Sequence, residues 1–185
     1  RSMNFITAVP TNKSSYSRTL YQTRFVPDTV AIKSFYKLEF KMEYTRLGHS
    51  GLTVSKICLG TMMFGGRTSA AVASKMIKSA RDAGVNFIDT ADIYENGESE
   101  RVVGKIIRKD RDDWVLATKV GYSMGKGKNR RGIGRKWIMQ ACDESLGRLG
   151  SDYIDLYYLH RWDPHVPIED SIGEMSRLLD EGKIS

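Results

Sequence analysis

The sequence predicts an α/β fold built on a parallel sheet with helical crossovers. Short apolar runs alternate with longer segments of helical periodicity, and the alternation repeats four times after residue 42. The short runs are apolar throughout rather than alternately polar, as in strands covered on both faces. Glycines stand where the first and last helical segments must stop, at Gly84 and Gly182. Two architectures satisfy the pattern, a doubly wound open sheet or part of a (β/α)8 barrel. No internal repeat beyond the alternation itself separates them.

In chain order, Tyr44–Gly48 and Leu52–Ile57 are extended stretches around His49-Ser50-Gly51, a short β-hairpin with a glycine-bearing turn. Ile57–Thr61 is expected as a buried strand. A helix follows over 69–83, with Val72, Met76, Ile77 and Ala80 inward. Asn86–Asp89 is the second strand of the sheet, and Glu98–Lys109 a helix with Val102, Val103, Ile106 and Ile107 on one side. Trp114–Val120 is the third strand. The helix over 135–148 is expected to bury Ile138, Ala141 and the adjoining Leu149. Ile154–His160 is the fourth strand. Pro167–Glu181 is the last helix, with proline at its first turn and Ile168, Ile172, Met175 and Leu179 inward.

Composition narrows the class. The 185 residues are 41% hydrophobic and 28% charged, which excludes collagen-like, coiled-coil and wholly disordered chains. No run approaches the roughly 18 apolar residues of a membrane span. Two distant cysteines, Cys58 and Cys142, suit a reducing compartment, hence a cytoplasmic setting, and no metal-ligand spacing surrounds either. Of the formal charge of +7, +5 sits in residues 1–41, so the high pI gives little support to nucleic-acid binding by the remainder. That basic head, 1–41, lacks periodicity. It is expected to be a disordered or non-native leader, or an organelle transit peptide, in which case the setting is an organelle. Residues 42–185 are expected to form the domain.

The chemistry gathers at strand ends. Asp89 closes the second strand, Tyr94 lies in the loop behind it, Lys119 stands near the end of the third, and His160 ends the fourth. In barrel enzymes the C-terminal strand ends form the active face. Each residue also has an ordinary reading: Asp89 as a cap, Tyr94 as a packed loop aromatic, His160 as a satisfied core histidine. Lys119 in an apolar strand is harder to dismiss, because a buried ammonium needs a carboxylate, and Asp89 on the adjacent strand can supply it.

The stretches EYTRLGHSGLTVSKICLGTMMFGG (43–66), GVNFIDTADIY (84–94), WVLATKVG (114–121) and SLGRLGSDYIDLYYLHRWDP (145–164) together resemble the aldo-keto reductases, nearest the branch holding bacterial reductases and potassium-channel β subunits. The resemblance implies a TIM (β/α)8 barrel of aldo-keto reductase type, present as its N-terminal half of about four βα units behind the hairpin. It implies that Asp89, Tyr94, Lys119 and His160 are the family's catalytic tetrad, and that the cofactor is NADP(H), bound without a Rossmann fold. Gly60, Thr61, Met62 and Asp89 are the cofactor-binding candidates in this half. Met63, Phe64 and Trp162 are candidates for an apolar substrate pocket, with packing beneath the rim as the alternative. The implied reaction is reduction of an aldehyde or ketone to an alcohol, and its reverse. An ammonium beside a phenol favours the phenolate and so eases proton donation.

Residues 121–136 hold six bases and no acid. They are expected to be a solvated, mobile loop, with attraction of a phosphate as the alternative. The expected partner is a small carbonyl compound, with neither nucleic acid nor membrane. A half-barrel leaves two open sheet edges, so self-association of the truncated chain is expected, as is inactivity on its own. A cofactor-binding regulatory subunit and an inactive interaction module are the alternatives to the enzyme.

Overall fold

In the computed structural model, residues 41–185 are described; the expectation for the basic head lies, up to residue 40, outside them. A hairpin of β1 (Tyr44–Arg46) and β2 (Thr53–Ser55) pairs antiparallel, with Thr45 opposite Val54. Asn86 ties it to the sheet: its side-chain oxygen accepts from the Ser55 N–H at 2.7 Å, and its amide donates to the Thr53 carbonyl at 3.0 Å. The hairpin therefore sits at the N-terminal end of the sheet, away from the strand ends that carry the chemistry.

The sheet has four parallel strands in sequential order: β3 (Cys58–Gly60), β4 (Phe87–Asp89), β5 (Val115–Val120) and β6 (Leu156–Leu159). Between and after them run α1 (Ala70–Asp82), α2 (Glu98–Ile107), α3 (Arg135–Leu149) and α4 (Ile168–Asp180). Sequential order with a helix after every strand is barrel winding, and it sets aside the doubly wound alternative, whose order reverses at a switch point. The four units are half of a TIM-type barrel.

Period two along the strands gives the sheet two unlike faces. Ile88, Leu116 and Val120 face the helices and are fully buried with Ile77, Val103, Ile107 and Ile138. The opposite face, which holds Cys58, Gly60, Asp89 and Lys119, is only partly covered. The expectation of a buried first strand is corrected here. β3 is an edge strand, Cys58 and Gly60 are exposed and Leu59 is half-buried, because pairing reaches it from β4 alone.

Two helix faces also differ from expectation. In α1 the buried positions are Ala73 and Ile77, while Val72 is exposed. Ser69 caps this helix by accepting from the Val72 N–H, and that fixes the face presented to the sheet. In α4, Ser171, Glu174 and Leu178 are buried, Met175 and Ile168 are half-buried, and Ile172 and Leu179 are exposed. The Ser171 hydroxyl donates to the Ile133 carbonyl at 2.6 Å, which turns the helix until Ile172 and Leu179 look along the free edge beside β6. In α2 the expected positions hold, with Val102, Val103 and Ile107 buried.

Candidate active site

Strand register brings the tetrad together. Asp89 pairs across from Ala117, and Lys119 lies two residues further along β5 on the same face. Lys119 Nζ donates to Asp89 Oδ1 at 2.6 Å and to the Thr90 carbonyl at 2.6 Å, and lies 3.2 Å from the Tyr94 hydroxyl. With only 13% of its side chain exposed, the ammonium is held by three oxygens rather than by water. It also lies 4.7 Å from the Tyr94 ring centre.

Tyr94 arrives on a tight turn. Glu95 and Asn96, directly behind it, both have left-handed backbone (φ 48° and 54°), and Gly97 follows at φ 87°. Two non-glycine residues there carry local strain, a feature that gathers at functional sites. The turn leans on the loop after β3, where a Cβ at Gly66 would stand 2.1 Å from Glu95 Cδ.

His160 closes the group from β6. Its N–H donates to the Val120 carbonyl at 2.8 Å, and its ring meets Tyr94 edge-on with centroids 5.9 Å apart. Tyr122 packs on the ring's other neighbourhood at 4.8 Å, with Arg161 over Tyr122 in turn. Burial, then the charge of Lys119, lower the His160 pKa against the opposing pull of Asp89, so the imidazole is neutral at pH 7. Its Nδ1 is buried and has no partner among the described residues.

The other candidates are spread around this centre. Gly60 is exposed in register with Asp89, with open space where a Cβ would stand. Thr61 is buried: its hydroxyl donates to the Asp89 carbonyl at 2.9 Å and lies 3.0 Å from Ser99 Oγ. Met62 and Trp162 are more than half exposed, and Met63 is 37% exposed. Phe64 is 2% exposed within the core, on the packing side of the two readings given for it.

The basic loop is not the free segment its charge suggests. Arg130 forms a bidentate pair with Glu144 at 2.7 and 2.8 Å, donates to the Met124 carbonyl and stacks on Trp137, while Met124 and Ile133 are buried. Lys126, Lys128 and Arg131 stay exposed.

Sequence reasoning missed a buried polar network behind the tetrad. Glu100 of α2 is fully buried, accepting from Thr118 Oγ1 at 2.6 Å and from Arg148 Nε at 2.5 Å. Asp92, also fully buried, lies near it. The signal was present: Glu100 shares a helical face with Val103 and Ile107, so it had to be inward and in need of a partner.

An Asp–Tyr–Lys–His cluster at the C-terminal strand ends of half a TIM-type barrel defines a class of barrel protein with its chemistry on that rim. Residues 56–185 match the profile described as the Aldo/keto reductase family, and the chain belongs to that family. It is 39% identical over 145 residues to a protein of Arabidopsis thaliana named as a probable voltage-gated potassium channel subunit beta, covering 76% of this chain and 44% of that protein. It is 41% identical over 149 residues to aldo-keto reductase YhdN of Bacillus subtilis, covering 77% and 45%. Among solved structures, the holo form of aldo-keto reductase AKR11C1 from Bacillus halodurans superposes with a TM-score of 0.71 at 38% identity, covering 77% of this chain and 48% of that one. The chain thus spans about half the length of the relatives it matches. Among the described residues no helix is long and apolar enough to cross a membrane.

Proposed function

We propose that the complete polypeptide containing this chain is an NADP-dependent carbonyl reductase that converts aldehydes and ketones to alcohols, with Tyr94 as the proton donor. The observation that carries this is the Tyr94 hydroxyl 3.2 Å from Lys119 Nζ, with that ammonium anchored on Asp89. Gly60, exposed and in register with Asp89, and the exposed side chain of Met62 leave a face that fits the reactive end of a nicotinamide. When bound there, that group supplies a hydride to the carbonyl carbon. Asp89 and Thr90 hold the Lys119 ammonium, which faces the Tyr94 oxygen. Neutral His160 hydrogen-bonds the carbonyl oxygen and turns it toward Tyr94. The Tyr94 O–H proton passes to that oxygen as the C–O double bond becomes a C–O–H single bond, and the ammonium stabilises the phenolate left behind. The two free cysteines favour a cytoplasmic setting.

A second reading has a specific support: the potassium-channel subunit similarity favours a cofactor-binding regulatory subunit with little turnover. Oxidation of NADPH by the complete polypeptide with a simple aromatic aldehyde separates the two. The reductase reading expects steady consumption that Tyr94→Phe lowers by about two orders of magnitude or more, and the subunit reading expects cofactor binding without consumption.

A further inference from the structure

Asp92 lies in the turn that carries Tyr94, two residues before it, and no part of the proposed chemistry uses it. It is fully buried, and neither carboxylate oxygen has a hydrogen-bond partner among the described residues. The groups near enough to act on it electrostatically are the Glu100 carboxylate on α2, the Arg148 guanidinium on α3, the Lys119 ammonium on β5 and the buried phenol of Tyr157 on β6. The positive groups are committed elsewhere. Arg148 serves Glu100 and Ser145, and Lys119 serves Asp89, Thr90 and Tyr94. A carboxylate formed at Asp92 would stand beside Glu100, which is already pinned by Thr118 and Arg148, with its burial only partly offset by the Ile93 N–H, Arg148 and Lys119. The part free to yield is the turn itself, strained at Glu95 and Asn96 and held at Asp92 by a long 3.3 Å bond to the Lys119 carbonyl.

We propose that Asp92 is a positioning residue for Tyr94: as the neutral acid it lets the turn seat Tyr94 against Lys119, and its ionisation drives the turn outward and takes Tyr94 with it. The activity arm of this inference rests on the reductase reading above. Burial, then Glu100, push the Asp92 pKa up to about 7 against the weaker pulls of the Ile93 N–H, Arg148 and Lys119, which places the change at neutral pH.

The test uses the complete polypeptide with ring-labelled ¹³C-tyrosine, the Tyr94 signal being assigned with Tyr94→Phe. In the parent protein, turnover of an aromatic aldehyde is expected to fall about tenfold from pH 6 to pH 8, and the Tyr94 signal to move with the same midpoint. In Asp92→Asn both are expected to be flat across that range. A Tyr94 signal that still moves with the parent midpoint in Asp92→Asn overturns the proposal. If Asp92→Asn does not fold, Glu100→Gln replaces it. Loss of the like charge is expected to move the midpoint to lower pH, and an unchanged midpoint overturns the proposal. Absence of turnover in every variant, with the Tyr94 signal still following Asp92, defeats the reductase reading and leaves this one standing.

Discussion

At the scale of single residues, charge decides the arrangement. Lys119 is tolerable inside a strand because Asp89, Thr90 and Tyr94 replace the water it loses. Asp92 has no such replacement, and that has a consequence for stability. Its pKa rises from 3.8 in the unfolded chain to about 7 in the folded one, so the folded state binds the proton more tightly. The stability it contributes is complete below about pH 4, falls by at most about 1.4 kcal/mol per pH unit through the window between the two values, and is constant above it. Denaturant unfolding of Asp92→Asn is therefore expected to show a flatter pH dependence between pH 4 and 7 than the parent. Identical slopes would contradict the assignment. The meeting of Asp89, Tyr94, Lys119 and His160 was legible in the sequence because each lies at or just behind the C-terminal end of a strand, while their role as a tetrad is what the family resemblance implies. Asp92 was not, since an isolated acid in a loop looks like a surface residue, whereas Glu100 could have been found from the helical face it shares with Val103 and Ile107.

At the scale of elements, the pattern of apolar residues placed all four helices and all four strands of the sheet, and its errors are informative. Ile172 and Leu179 were expected inward, yet Ser171 and Glu174 take the buried positions. Ser171 is held by the Ile133 carbonyl and Glu174 by Arg177, bonds that hydropathy does not report. Val72 lost its place to Ala73 for a related reason, a cap that rotates the helix. Close packing sets a further limit that composition hides. A Cβ on Gly104 of α2 would stand 2.0 Å from the backbone oxygen of Leu149 at the end of α3. The clash is with backbone, so no side chain can swing aside. Gly104→Ala is expected to cost about 1–3 kcal/mol of stability in denaturant unfolding despite the better helix propensity of alanine. A neutral or stabilising result would mean that α2 and α3 are not packed this closely.

At the scale of the whole molecule, the four units present one finished face and one unfinished one. The helix side is a closed core, whereas β3 and β6 are edges and the face carrying Asp89 and Lys119 is only partly covered. Asp89, Tyr94, Lys119 and His160, the residues of the proposed proton chemistry, all stand on this half. A polypeptide limited to residues 41–185 is accordingly expected to self-associate through its open edges and to consume no NADPH. Light scattering and an absorbance assay check both halves of that expectation.

Proton donation by Tyr94 is open to a single decisive comparison. The complete polypeptide and its Tyr94→Phe variant are assayed for NADPH oxidation with an aromatic aldehyde, and cofactor affinity is measured on both by fluorescence. If Tyr94 is the donor, cofactor binding is unchanged and turnover falls by about two orders of magnitude or more. Turnover in Tyr94→Phe equal to the parent's would contradict it.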